Sequence, residues 1–107
     1  MNITVEFDDK SYVLDVPETL AEEASEYFDK MDRDMNCGWQ MSRWWVPNPD
    51  ENQRCQIVAD KLLTAMQDDN AEFALMMCAY ILNTRPSTRR IRINTDGEIQ
   101  GNEFLDS

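Results

Sequence analysis

Residues 71–82, AEFALMMCAYIL, are apolar at every position except Glu72. Asn70 just before them suits a helix N-cap, and Pro86 just after them stops a helix. A helix with no polar face must be covered on all sides. This one therefore belongs at the centre of a core, or partly in a contact between copies of the chain. With 107 residues the chain fits one compact domain, so few other elements are available to do the covering. A homodimer is the expectation, because a strip left bare would be a larger apolar patch than monomers ordinarily expose.

Two more helices are legible. Pro17 opens one over about 18–37, with Thr19-x-x-Glu22 spaced as a capping box and Gly38 placed to end it in the left-handed conformation. Leu20, Ala24, Tyr27, Phe28, Met31 and Met35 recur at spacings of three and four, which puts them on one stripe. Asn48 as N-cap, Pro49 at the first helical position and Glu51 at the third start the next, over about 49–67, with Cys55, Val58, Ala59, Leu62 and Met66 facing inward. A short polar turn at 67–70 leads into the apolar helix, over about 71–84, so the two should pack antiparallel.

Strands lie at both ends. Ile3, Val5 and Phe7 alternate with polar residues, as do Tyr12, Leu14 and Val16. A turn at Asp9-Lys10 would set Phe7 against Tyr12, Val5 against Leu14 and Ile3 against Val16, all on one face. Ile91 and Ile93 alternate with Arg90 and Arg92 over 89–94, a strand expected to join the hairpin. Asp96-Gly97 signals a turn, but a two-residue loop there would place Ile99 on the wrong face, so a longer turn with a short edge strand or a tail is expected. The fold class is α+β, in the order ββααα/β: a single domain, 1–107, with a small antiparallel sheet packed on one face by three helices.

Composition narrows function by exclusion. A net charge of −11, from 21 acidic and 10 basic residues, repels nucleic-acid phosphates and favours a basic protein partner. There is no histidine, which removes the usual general base and the commonest metal ligand. The N-terminal residues MNITVEFDD have neither a basic nor an apolar export region, and no apolar run reaches the roughly 18 residues that span a bilayer. Cys37, Cys55 and Cys78 form no CxxC pair and are odd in number, which suits reduced thiols in the cytoplasm. Phosphate-binding glycine loops, GxSxG and HExxH are absent, so the expectation is a protein that is not an enzyme and carries no cofactor.

The segment 31–49, MDRDMNCGWQMSRWWVPNP, holds all three tryptophans and three of the seven methionines. Trp39, Met41, Arg43, Trp44 and Trp45 are the candidate partner-binding residues, since tryptophan and arginine dominate the energetics of protein interfaces; a roof over the core between the first two helices accounts for the three tryptophans as well. A helical turn would place Met41, Trp44 and Trp45 on one face. Trp44 and Trp45, being adjacent, cannot easily fill one core pocket, so one should pack inward and the other face a partner. The leading expectation is thus a small acidic interaction module using residues 39–45.

Four weaker candidates stand beside it. Met31, Met35, Cys37 and Met41 bring four sulfur atoms into eleven residues, the ligand type that selects Cu(I); core filling by methionine explains the same pattern. Glu22, Glu26 and Asp29 line the first helix and could meet a basic partner, hold a hard cation or simply face water. Arg85, Arg89, Arg90 and Arg92 form a cationic cluster that could bind phosphate, balance charge or guard an edge strand. Arg92 to Glu103, RINTDGEIQGNE, resembles a calcium-binding EF-hand loop at Asn94, Asp96, Gly97, Ile99 and Glu103. It departs from that motif in carrying Arg92 at the first ligand position, and Pro86 interrupts any incoming helix.

Overall fold

The computed structural model describes residues 1–106. The chain begins with the expected hairpin, β1 (Asn2–Phe7) and β2 (Lys10–Asp15). Its turn is Asp8-Asp9, not Asp9-Lys10: both residues have positive φ, 53° and 61°. Such a turn requires the left-handed region twice, which aspartate tolerates better than a long side chain does. The register consequently moves by two, pairing Ile3 with Leu14 and Val5 with Tyr12. Because strand faces alternate with period two, this shift leaves the six apolar side chains on the same face. Phe7 and Tyr12 become diagonal neighbours and stack at 5.2 Å.

The first expected helix is divided at Ala24 into α1 (Leu20–Glu23) and α2 (Ser25–Asn36). No capping box forms at Thr19. That residue is itself in the helical region, whereas a cap must be extended, and its hydroxyl donates to the Glu23 carboxylate instead. Gly38 ends α2 as expected, with φ 98° and its N–H on the Met35 carbonyl. The next helix, α3 (Glu51–Gln67), starts two residues later than its sequence suggested. Asp50 is the N-cap because it and Gln53 satisfy one another's backbone N–H groups, leaving Asn48 and Pro49 outside the helix.

Asp69, at φ 57°, turns the chain out of α3: its N–H bonds Met66, and that of Asn70 bonds Ala65 at 2.8 Å. This is the paired closure of a Schellman motif with aspartate in the glycine position. Asn70 then caps α4 (Ala71–Thr84) by accepting the Phe73 N–H. From Met77 to Leu82 every residue of α4 is buried, covered by the chain itself. Phe73, Leu75 and Met76 remain half-buried, so the need for outside cover narrows to the first two turns of that helix.

The C-terminal strand β5 (Arg90–Arg92) joins the hairpin as expected, but parallel to β1, and a short strand β6 (Glu103–Leu105) follows a 3-10 turn at Ile99–Gly101. A parallel neighbour requires a long crossover, which the helices supply. The main sheet is therefore mixed, in the order β2-β1-β5-β6. Ile3, Val5 and Ile91 point from it into a core shared with Phe28, Met31, Val58, Leu62, Met77 and Ile81. Among the described residues no helix is long and apolar enough to cross a membrane.

Candidate functional site

The tryptophan segment is a second β-hairpin and contains no helical turn: β3 (Trp39–Met41) pairs with β4 (Trp44–Val46). Ser42 opens its two-residue turn with φ 58°, in the manner of a type II′ turn. Met41 is opposite Trp44, and Gln40 is opposite Trp45. Alternation then sends Met41 and Trp44 to one face and Trp45 to the other.

Burial separates the five candidates. Met41 is fully buried and ties the hairpin to the core, while Trp39 is half-buried beneath the Lys61 ammonium, 4.9 Å from its ring centroid. Arg43 is exposed at the turn. Trp44 and Trp45 are 58% and 57% exposed, so the expected division between a buried and an exposed ring fails: both are exposed, on opposite sides of the ribbon, with Trp44 on the side of Met41. Three-residue strands bury little on their own, and neither ring finds a core pocket.

The hairpin is nonetheless held firmly. The Ser42 hydroxyl donates to the Gly97 carbonyl and accepts the Ile99 N–H, both at 2.9 Å, and the Trp44 indole N–H donates to Gln100 Oε1 at 3.3 Å. Trp45 lies over Gly38, where a Cβ would come within 2.3 Å of its ring. At the base, Arg54 donates to the Pro49 carbonyl, to the Asp32 carbonyl and carboxylate, and to Asn36 Oδ1. This one guanidinium gathers the end of α2 and the start of α3, and so closes the loop that carries the hairpin. Asp32 also accepts the Tyr80 hydroxyl, whose pKa is pushed up by burial and then by that bond.

The loop receiving Ser42 is itself well supported. Asn94 Oδ1 accepts the N–H groups of Asp96 and Glu98, Asn102 Oδ1 accepts that of Asn94, and Asn102 and Gln56 bond one another's backbone neighbourhoods. These bonds engage the Asn94 side-chain oxygen, one of those an EF-hand would use. Arg92 bonds Glu6, and Glu103 sits opposite Arg92 in the β5–β6 ladder, so a cation stands beside the carboxylate at the twelfth position and the remaining positions lie in the connection between the two strands. Among the described residues no three of His, Cys, Asp or Glu gather as a metal site.

The sulfur cluster is likewise divided. Met31, Met35 and Met41 are buried in the core, whereas Cys37 is exposed with its thiol on the Arg33 carbonyl. No protein-family model, curated protein or solved structure matches the chain. The surface itself therefore carries the functional argument.

The arginines are engaged within the fold. Arg90 and Arg92 bond the two oxygens of Glu6 at 2.7 and 3.3 Å. Burial alone would raise the Glu6 pKa, but the hydrogen bonds and charge of the two arginines outweigh it and hold the carboxyl below its ordinary value. β5 lies between β1 and β6, so its arginines guard no edge. Arg85 lies over the Phe104 ring and bonds Asn52, and Arg89 bonds the Pro86 and Thr88 carbonyls. Glu22, Glu26 and Asp29 are exposed along the outer side of α1 and α2.

Sequence reasoning missed Ser42, Gln100 and Arg54, which support the surface without forming it. Only a hairpin reading of WQMSRWWV could have revealed Ser42, and the adjacent tryptophans defeat that pattern.

Proposed function

We propose that the chain is a non-enzymatic protein-interaction module that docks through the β3–β4 hairpin, with Trp44 and Trp45 as its anchors and Arg43 exposed at its turn. The observation that carries this reading is the exposure of both rings, 58% and 57%, on a ribbon fastened by Ser42, Gln100 and Arg54. Large aromatic rings already held in place lose little conformational freedom on binding, which is what makes tryptophan an effective interface anchor. The charge of −11 steers basic partners toward the molecule from a distance.

The test is quantitative capture from native lysate on immobilised intact protein and on a Trp44→Ala/Trp45→Ala variant that still folds. The proposal expects a partner retained by the first and depleted on the second. Equal recovery of the same proteins on both would refute it.

A further inference from the structure

We propose that the outer edge of β2, with the groove beside it, takes up an extended cationic segment of another protein as an added strand. This site is separate from the tryptophan hairpin and does not depend on it. Val16 and Met1 exchange backbone hydrogen bonds at 2.8 and 2.9 Å. In an antiparallel ladder such pairs recur at every second residue, so Leu14, Tyr12 and Lys10 also bond inward to β1. The N–H and C=O groups of Ser11, Val13 and Asp15 consequently point away from β1, along the side where the sheet ends.

That edge lacks the usual protection. Strand edges are blunted by proline, bulges, brevity or charges along their length. β2 is six residues long, pairs without a bulge, and has charged side chains only at its ends, Lys10 and Asp15. Val13, between them, is 67% exposed. The opposite edge, β6, has only three residues and begins with Glu103.

Beside β2 the half-buried side chains of Tyr12 and Leu14 face Met66, Ala71, Ala74 and Leu75 across a groove of about 430 Å³. A strand added to β2 would send every second side chain into this groove, the geometry by which edge strands bordered by a helix bind extended peptides. Small apolar side chains fit that lining. The rim selects charge: Asp68, Asp69 and Glu72 are exposed at the α3–α4 turn, and Asp8 and Asp9 at the hairpin end. A second copy would bring the same carboxylates and the same charge of −11, whereas a segment whose apolar residues are flanked by lysines complements the rim at its ends and the charge of the whole molecule.

The probe is an end-capped heptapeptide alternating lysine and valine, with lysine at both ends, titrated into the full chain and followed by NMR and amide exchange. Binding should slow exchange at Ser11, Val13 and Asp15 by about tenfold or more at saturation, with little change at Tyr12 and Leu14, which are already bonded. Val13→Pro removes an outward N–H without touching the β1 ladder and should weaken binding by about tenfold or more. The same peptide with alternate backbone amides N-methylated should bind as weakly to the unaltered protein, which keeps the test decisive if the proline variant does not fold. A glutamate-for-lysine peptide should not bind.

Unchanged exchange at the three amides with peptide in the millimolar range, or equal affinity for the N-methylated peptide, would overturn the proposal. A dimer by light scattering that protects the same amides without peptide would also overturn it, giving the edge to a second copy.

Discussion

Replacing Gly38 with alanine isolates how the hairpin is seated. Two costs are separable. The backbone at φ 98° disfavours any residue with a Cβ by about 1–2 kcal/mol. The new methyl would also lie 2.3, 2.6 and 2.9 Å from Cζ2, Cε2 and Nε1 of Trp45, against an ordinary carbon contact of roughly 3.5–4.0 Å. The ring must retreat by more than about 1 Å. It can, because it is 57% exposed, and the loss is its packing against the backbone at Gly38, about 1 kcal/mol at 25 cal/mol per Å². Gly38→Ala should therefore destabilise by about 2–3 kcal/mol in total. In a Trp45→Ala background only the backbone part remains, so urea denaturation of the four proteins should give a coupling of about 1 kcal/mol. A coupling below about 0.3 kcal/mol would show that the ring does not rest on Gly38. No loss at all on Gly38→Ala would refute the left-handed turn as well.

The remaining expectations rest on the core and its polar ties. Tyr80→Phe removes the hydroxyl that Asp32 accepts and should cost about 1–3 kcal/mol in denaturant unfolding. Arg54→Leu leaves Asp32, Asn36 and the Pro49 carbonyl without their shared donor; it should destabilise the fold and speed amide exchange through residues 37–50 more than elsewhere. Native protein should react with a thiol reagent at Cys37 alone, since Cys55 and Cys78 are buried and burial pushes their pKa values up to about 11 and about 12. Those two thiols stay protonated in the folded state at pH values where the unfolded chain has lost their protons. Stability should accordingly fall as pH rises from 9 toward 11–12, with a slope on the order of 1 kcal/mol per pH unit per group; a flat profile there would contradict the burial.

What the residues revealed beforehand tracks how local each cause is. The apolar run at 71–82 and its Asn70 cap lie within one element, and both behave as their chemistry requires. The Thr19-x-x-Glu22 spacing was equally visible but carries no information about backbone angles, and Thr19 turned out to be helical. Alternation identified β1, β2 and β5 and the faces they bury, yet it is blind to direction, so the parallel pairing of β1 with β5 was not legible. The β3–β4 hairpin was hidden for a different reason. The alternation around β5 runs on through its flanking residues, whereas the adjacent pair Trp44-Trp45 breaks it in β4 and looks the same whether one ring is buried or neither is. The methionines suggested a ligand set only because burial cannot be read from spacing, and burial is what separates them from Cys37.

The docking surface is tested most directly by titrating the captured partner calorimetrically into wild type, Trp44→Ala and Trp45→Ala, with the melting temperature of each measured alongside. Both rings are more than half exposed, so each truncation should cost no more than about 1–2 kcal/mol of folding stability, below the 3–5 kcal/mol of a core tryptophan. At least one should weaken binding by about 2 kcal/mol or more, roughly thirtyfold in Kd. Core-sized losses of stability in both variants with an unchanged Kd would contradict the account.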